Sequence, residues 1–295
     1  MSLSIVSARG TAAVLAARRR ALDHRRFDPS TWERRRRRRV DRAFAEVLLY
    51  REQWAVAGRV LDEPTRVRAA DLAEELYRLC PIARPWNPTR EPSLWIGSPS
   101  QLRDVLTLAE VLDPDRPDRP VLEVRQAVVD WPRLGRWGPP YAALLGPTAP
   151  VADEARRRAL ALPAWTLALA HGGAIVVGST DERAAFRAEA QAVLGGIDLR
   201  WDEVDRASLA AAAESSEPGP LVVQDPYLGY LAARLPSCGR VHLLWSDVHC
   251  RETPGGLVFT RLRTSRPTLV NIIPVDPGFT RVAHCPTHGT PILSG

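Results

Sequence analysis

Lysine is missing from this sequence, since all 40 residues counted as lysine or arginine are arginines. An arginine guanidinium neither forms a Schiff base nor gives up its proton near neutral pH. Pyridoxal-lysine enzymes, Schiff-base aldolases and lysine-bearing phosphate loops are therefore excluded for this chain acting alone. Such a strong arginine bias is typical of a GC-rich genome, and we expect an actinobacterial source.

Cysteine and long apolar runs are also scarce. Four cysteines among 295 residues do not predict a disulfide framework. No apolar run reaches the roughly 18 to 20 residues that a membrane helix requires. Near the N-terminus, arginines follow a short apolar stretch instead of preceding it, which is the wrong order for a signal peptide. These absences predict a cytoplasmic protein without a membrane partner.

The remaining composition is that of a globular protein, with 45% hydrophobic and 25% charged residues. A run of arginines, Arg34 to Arg39, lies in a predicted helix that begins at a capping box, Ser30 to Glu33. The run is either a patch that binds nucleic acid or a membrane surface, or a solvated helix face. Acidic residues follow at once, at Asp41 and Glu46, and favour the solvated face, so we do not expect a nucleic-acid partner.

Hydrophobic periodicity divides the chain into three parts. Residues 1–90 are predicted to form a helical N-terminal region, residues 91–235 an α/β core and residues 236–295 a β-rich metal-binding module. In the middle part, short apolar strands alternate with helices, which is typical of a parallel, layered sheet. The predicted fold class is therefore α/β, with a mostly parallel sheet and a C-terminal module held together by zinc.

The predicted elements after the first helix are specific enough to be compared with a structure. The helices are expected over residues 66–80, 101–112, 152–170, 181–194 and 205–213. The strands are expected over residues 121–129, 174–177, 197–201, 221–224, 241–245, 257–262 and 268–273.

Two pairs of potential metal ligands lie near the C-terminus. Cys238 precedes His242 by four positions, and Cys285 precedes His288 by three. Zinc takes four sulfur or nitrogen donors in a tetrahedron, and two such pairs supply them. A closed four-ligand site is structural, so the expected cofactor is structural Zn²⁺. Ordinary buried thiols and surface imidazoles are the alternative for any one of these residues.

A further pair, His249 and Cys250, is a weaker candidate for a base and a nucleophile. Adjacent residues on a strand point to opposite faces of a sheet. A catalytic dyad at these two positions is therefore not favoured.

Several segments resemble the phenylacetate–CoA ligase branch of the adenylate-forming enzymes. Arg42 to Gly58, which contains Tyr-Arg and Ala-Gly, is similar to that family's N-terminal "Phe-Tyr-Arg … Ala-Gly" segment. Gly255 to Leu262 resembles its "Gly-Glu-Leu-Val-Val-Thr-x-Leu" strand, and Thr264 to Asn271 lies where the family has "Pro-Leu-Ile-Arg-Tyr". Cys285 to Gly289 lies where many members have "Cys-Pro-Cys-Gly-Arg". The resemblance implies a structural zinc, with a further Cys and His upstream of the strand, where Cys238 and His242 stand.

The departures from that family concern its nucleotide chemistry. The nearest candidate for its phosphate-binding loop, Pro92 to Ser100, is a poor match, and its "Tyr-Gly-x-Thr-Glu" segment is missing from Leu228 to Pro236. Asp276 is a possible substitute for the ribose-binding aspartate. The sequence ends at Gly295, where the family's C-terminal domain with its catalytic lysine would begin. The resemblance therefore implies binding or transfer of an acyl or aryl group without adenylation by this chain.

Three functions remain open at this stage. The first is a shortened acyl-handling protein that binds an aryl or acyl carboxylate, or its activated form, in a biosynthetic pathway, together with a ligase or carrier protein. The second is a non-catalytic pseudoenzyme that acts as a scaffold or regulator, and the third is a basic nucleic-acid-binding protein. Each candidate residue of the first function has an alternative role in the core or on the surface. The candidates are His249, Asp225 and His171 for catalysis, Tyr141 and Tyr227 for substrate binding, and Asp276 for the cofactor.

Overall fold

A computed structural model describes residues 27–72, 76–87, 98–113, 115–126, 131–151, 153–263 and 266–295, together with residues 10 and 12. Most of the candidate phosphate loop, residues 92–97, lies outside the described residues, as do Thr264 and Ser265 of the family-like segment. The described residues form six α-helices and thirteen strands.

The helices fall into two groups, three that precede the first strand of the large sheet and three that alternate with its strands. They are α1 (Pro29–Glu46), α2 (Leu48–Val56), α3 (Pro99–Leu108), α4 (Glu154–His171), α5 (Thr180–Leu194) and α6 (Leu209–Glu214). Two single turns of 3₁₀ helix cover Ala69–Leu72 and Leu76–Leu79.

The strands belong to two sheets. They are β1 (Val67–Arg68), β2 (Val121–Arg125), β3 (Tyr141–Leu145), β4 (Gly173–Gly178), β5 (Arg200–Ala207), β6 (Leu221–Asp225), β7 (Gly229–Leu235), β8 (Arg240–Leu243), β9 (Val248–Thr253), β10 (Gly256–Arg261), β11 (Ile272–Ile273), β12 (Arg281–His284) and β13 (Pro291–Ser294). The large sheet has the order β12-β13-β8-β7-β6-β5-β4-β2-β3, and the small sheet has the order β1-β11-β10-β9.

The large sheet confirms the prediction of a mixed α/β fold, but only half of it is parallel. Strands β3, β2, β4, β5 and β6 pair in parallel. From β6 to β12 every pairing is antiparallel. The expected mostly parallel sheet is therefore corrected to a parallel half joined to an antiparallel half, because hairpins rather than helices connect the later strands.

The two faces of the parallel half have different covers. Helices α4 and α5 pack on one face, where Trp165 and Phe186 meet Leu122 and Val176. The opposite face belongs to the larger core, which also includes residues of α1, α3 and the small sheet. This arrangement buries both faces of β2, β4 and β6, as is typical of parallel sheets, whereas β5 is only partly buried.

The large sheet curls strongly. The hydroxyl of Tyr230 on β7 donates a hydrogen bond of 2.6 Å to Glu123 on β2, although β4, β5 and β6 lie between these strands. In a flat sheet the two strands would be about 19 Å apart, too far for the two side chains to meet. The curl therefore brings polar groups from distant strands into one buried cluster.

Residues 236–295 share both sheets with the rest of the chain. Strand β8 pairs with β7 across the turn that follows Leu235, and β13 pairs with β8. In the small sheet, β1 from the N-terminal third pairs in parallel with β11. The C-terminal part is thus joined to the core by main-chain hydrogen bonds on two sides.

Several predicted elements are wrong in position or type. The first helix is capped by Asp28, whose carboxylate accepts hydrogen bonds from the amides of Ser30 and Thr31 at 3.1 and 3.0 Å, and not by Ser30. The helix expected over 66–80 is replaced by β1 and two 3₁₀ turns, because Val67 bonds to the main chain of Asn271. The strand expected over 197–201 and the helix over 205–213 are displaced to β5 and α6.

The remaining predicted elements correspond to observed ones within a few residues. These are α3, α4, α5, β2, β4, β6, β8, β10 and β11, although β11 is shorter than expected. No helix in the described ranges combines the length and the apolar character that a membrane crossing would need.

Candidate metal centre

Two hairpin turns carry the four predicted metal ligands. Cys238 lies in the turn between β7 and β8, and His242 follows on β8. Cys285 and His288 lie in the turn between β12 and β13. Strand β13 pairs with β8, with Ile292 opposite His242. The fold therefore places both turns at the same end of these neighbouring strands.

Glycine allows each turn to bend back on itself. Gly239 and Gly289 have φ angles of +67° and +69°, a left-handed conformation that glycine adopts without steric cost. The amide of Gly289 donates to the carbonyl of Cys285 at 2.7 Å, and the amide of Cys285 donates to the carbonyl of Thr290 at 2.9 Å. The turn around Cys285 and His288 is therefore held by its own backbone.

The ligand atoms of all four residues lie within 4.8 Å of one another. The two sulfur atoms of Cys238 and Cys285 are 4.0 Å apart. Sγ of Cys285 is 3.5 Å from Nδ1 of His288, and Sγ of Cys238 is 3.1 Å from Nε2 of His242. In a tetrahedral zinc site the corresponding edges are about 3.8 Å between sulfurs and about 3.6 Å between sulfur and nitrogen. The cluster therefore has nearly the dimensions of such a site and can hold a metal ion.

Both histidines have a hydroxyl partner on the ring nitrogen that faces away from the cluster. Nδ1 of His242 lies 2.8 Å from the hydroxyl of Thr290, and Nε2 of His288 lies 3.2 Å from the hydroxyl of Ser237. Metal-bound histidines typically carry such partners, because they orient the ring and fix which nitrogen is free to bind. The hydroxyl of Thr290 is thus placed to direct Nε2 of His242 toward the cluster, and that of Ser237 to direct Nδ1 of His288.

The charges at the cluster favour a bound cation. Burial raises the pKa of the Cys238 thiol, and the neighbouring Cys285 sulfur raises it further. Burial lowers the pKa of His242 to about 4, helped by His288 and Arg240. The imidazole of His242 is consequently neutral at pH 7 and ready to act as a ligand, whereas two thiolates need a nearby positive charge.

The pair His249 and Cys250 lies away from this cluster on the small sheet. Nε2 of His249 is 3.1 Å from a carboxylate oxygen of Glu33, and its ring centroid is 4.1 Å from that of Trp32. Cys250 is buried in the core, where burial raises the pKa of its thiol. The two neighbours thus face different surroundings.

Three of the other predicted site residues, Asp225, Tyr227 and Asp276, lie near one corner of the fold. Asp225 accepts hydrogen bonds from the amides of Tyr227 (2.8 Å), Leu228 (2.9 Å) and Val275 (2.9 Å), and so joins the β6–β7 turn to a neighbouring loop. Asp276 accepts a hydrogen bond of 2.6 Å from the hydroxyl of Ser208. These carboxylates hold a corner of the fold.

Two more predicted residues have equally definite places. The buried hydroxyl of Tyr141 donates a hydrogen bond of 2.7 Å to the carboxylate of Glu123. His171 is exposed at the end of α4, near the amino end of β4. The six residues predicted for chemistry therefore do not converge on one pocket.

A buried polar cluster around Glu123 was not predicted. Its carboxylate is completely buried and accepts hydrogen bonds from Tyr141, Tyr230 and Arg125, while Arg206 lies 3.4 Å away and also contacts Glu182. Burial and the Glu123 charge raise the pKa of both tyrosines. The signal in the sequence is a glutamate within the apolar stretch Val121 to Val124, since an unpaired charge would not be buried there.

The arginine run of α1 is partly directed into the fold. Arg35 donates to the main chain of Ser246 at 2.7 Å, Arg36 pairs with Glu33 and Glu63, and Arg39 is buried. The exposed members of the run are Arg34, Arg37 and Arg38. Half of the run therefore has a structural role.

No protein-family model matches this sequence, and a search among curated proteins finds no match.

Proposed function

We propose that Cys238, His242, Cys285 and His288 bind one structural Zn²⁺. Two thiolates and two neutral imidazoles are a donor set that zinc prefers, and with all four positions filled by protein no position is open for a substrate. The two hairpin turns would then be joined by the ion in addition to their hydrogen bonds. The observation that carries this proposal is the approach of all four ligand atoms to within 4.8 Å.

Cobalt substitution tests the identity of this donor set. We expect Co²⁺ to replace the bound metal and to give the intense visible bands of a tetrahedral thiolate site. The variant His288→Ala should change those bands, while His171→Ala, which alters a histidine outside the cluster, should not. A Co²⁺ spectrum that is identical in wild type and His288→Ala would contradict the proposed ligand set.

On a wider scale, this chain acts as a relative of the phenylacetate–CoA ligase branch that binds or hands on an aryl or acyl carboxylate. Two observations support the proposal. The segment that resembles the family's "Gly-Glu-Leu-Val" strand coincides with β10, and the two ligand pairs that the resemblance implies meet in space. A ligase or carrier protein would supply or receive the acyl group.

Adenylation by this chain alone is not part of the proposed function. The sequence has no lysine to stabilise the charge that develops during adenylation. We expect no exchange of pyrophosphate into ATP with any aryl or alkyl carboxylic acid, measured with the full chain. Acid-dependent exchange above background would overturn this part of the proposal.

A non-catalytic scaffold is the second candidate. The carboxylates of Asp225 and Asp276 and the hydroxyl of Tyr141, which were predicted to do chemistry, are all engaged in structural hydrogen bonds. This observation favours a scaffold over an enzyme. A scaffold should raise the melting temperature of a ligase or carrier protein that copurifies with it, and should leave free carboxylates unbound.

A further inference from the structure

A cavity of about 470 Å³ lies between α4 and α5, beside the carboxyl ends of β2 and β3. Its volume is within the range of small-molecule sites, about 300 to 1,000 Å³. The inner wall is apolar and includes Val124, Leu144, Trp165 and Phe186. The rings of Trp165 and Phe186 are stacked against each other, with centroids 5.4 Å apart, and give the wall an aromatic surface.

The cavity reaches from the carboxyl ends of β2 and β3, where the strand order of the parallel half reverses, along α5 to Ala192 and Val193. The first parallel strand, β2, has the second, β3, on one side and the third, β4, on the other. Open α/β sheets bind ligands outside the carboxyl ends of their strands at such a point. Val124 near the end of β2 and Glu182, four residues after the end of β4, both line the cavity.

The charged residues that line the cavity form its rim, and most of them already have partners. Arg157 bonds to Glu154 at 2.7 Å and to Glu189 at 2.6 Å, which joins α4 to α5. Glu182 is paired with Arg206 at 2.6 Å. The acidic groups of the rim are therefore neutralised by arginines, and they do not require a cationic ligand.

Arg158 is the rim cation with donors to spare. Its Nε bonds to Glu154 at 3.0 Å, and its side chain is 70% exposed. Among the described residues, its two terminal nitrogens have no hydrogen-bond partner. These two nitrogens form the planar fork that binds a carboxylate with two parallel hydrogen bonds.

We infer that this cavity binds an aryl or alkyl monocarboxylate, with the apolar group against Trp165 and Phe186 and the carboxylate on Arg158. That the ligand carries a carboxylate rests on the proposed function. That the cavity takes an apolar group rests on its apolar wall and its position at the strand ends, independently of the proposed function. An apolar group buried against the aromatic surface would supply most of the binding free energy.

Calorimetric titration of the full chain tests the inference, with benzoate, phenylacetate and octanoate and their primary amides as probes. Arg158→Ala should weaken binding of the acids about tenfold, as loss of one charge-assisted contact does, and leave the amides unchanged. Ala188→Trp fills the cavity from α5 and should abolish binding of both. The matched controls are Arg156→Ala and Ala184→Trp, which alter exposed positions of the same helices outside the cavity and should bind like wild type.

The outcomes separate the site from the proposed function. If the acids bind wild type and Ala188→Trp equally well, the cavity is the wrong site although the proposed ligand class stands. If only the amides bind and Ala188→Trp abolishes that binding, the cavity is a ligand site but the carboxylate assignment is wrong. Binding of no probe to wild type overturns both.

Discussion

His249 illustrates how the surroundings of one residue determine its charge. The imidazole is buried between the ring of Trp32 and the carboxylate of Glu33. Burial lowers its pKa from 6.5 to about 4; the Glu33 charge opposes this shift, and Arg36 and Arg251 reinforce it. His249 is therefore neutral in the folded protein at pH values where it is charged in the unfolded chain.

This difference predicts a pH dependence of stability. Between pH 6.5 and about 4 the unfolded chain binds a proton at His249 that the folded protein does not, so the free energy of unfolding falls as the pH falls, by up to about 3 kcal/mol. Urea unfolding at pH 7 and pH 4.5 should show a smaller loss in His249→Gln than in wild type. Both proteins keep His242, so its contribution to the pH dependence is the same in both. Equal losses of unfolding free energy in His249→Gln and wild type would contradict the prediction.

At the scale of single residues, the sequence indicates the four candidate metal ligands but not the hydroxyl groups that contact them. The two short Cys–His spacings could be recognised because zinc sites use such pairs. Thr290 and Ser237 could not, because a hydroxyl becomes a partner of His242 or His288 only when both turns have folded. The cluster around Glu123 could not be predicted for the same reason, since its partners come from four different strands.

Among the elements, the passage from α4 into β4 depends on two adjacent glycines. Gly172 ends the helix with a φ of +68°, and a Cβ there would meet nothing within 4 Å. Gly173 begins the strand with a φ of +141°, and a Cβ there would lie 2.1 Å from the carbonyl oxygen of Arg200. The first glycine is thus needed for conformation only, and the second also for the close approach of β5.

Alanine substitution should separate these two requirements. Gly172→Ala should lower the free energy of unfolding by about 1 kcal/mol, the cost of a left-handed alanine. Gly173→Ala should lower it by about 3 kcal/mol or more, because the backbone of β5 must also move. Chemical denaturation of the two variants measures both values. A smaller effect at Gly173 than at Gly172 would show that β4 and β5 are not packed as described.

Prediction of elements succeeded where local signals agreed and failed where pairing decides the structure. Helices α4 and α5 carry side-chain caps at Asp153 and Ser179 and end in glycine, which periodicity and capping rules detect. Strand β7 has both faces buried and therefore shows no alternation of apolar and polar residues. Strand β3 lies in a Gly/Pro-rich stretch and owes its conformation to pairing with β2.

Across the whole molecule, the Glu123 cluster joins distant strands of the curled sheet. Glu123 on β2 contacts Tyr141 on β3, Arg206 on β5 and Tyr230 on β7. Both carboxylate oxygens of Glu123 have partners, so the cluster stabilises one specific curvature of the large sheet. Loss of the charge would remove the carboxylate partner of Arg125 and leave Arg206 paired with Glu182 alone.

Substitutions in this cluster should have graded effects. Glu123→Gln leaves Arg125 without its counter-charge and Arg206 with Glu182 alone, and should lower the free energy of unfolding by about 3 to 5 kcal/mol. Tyr230→Phe removes one hydrogen bond to a charged group and should cost about 1.5 to 3 kcal/mol. Urea unfolding at pH 7 distinguishes the two. A neutral Glu123→Gln substitution would mean that the cluster does not stabilise the fold.

The way the C-terminal residues join the sheets was also beyond the sequence. The predicted module of residues 236–295 shares the large sheet through β8 and the small sheet through β11. Long-range strand pairing is set by the complete fold, which local pattern does not encode. The four candidate ligands consequently lie in turns of the main sheet, where a bound ion would stabilise the whole protein.

Metal analysis of the purified protein tests this account most directly. Wild type should contain about one zinc per chain, and Cys285→Ser should lose it and unfold more readily, because a structural zinc contributes directly to folding. Cys250→Ala, which alters a buried thiol outside the cluster, should retain the zinc. Wild type without zinc, or equal zinc in wild type and Cys285→Ser, would contradict the account.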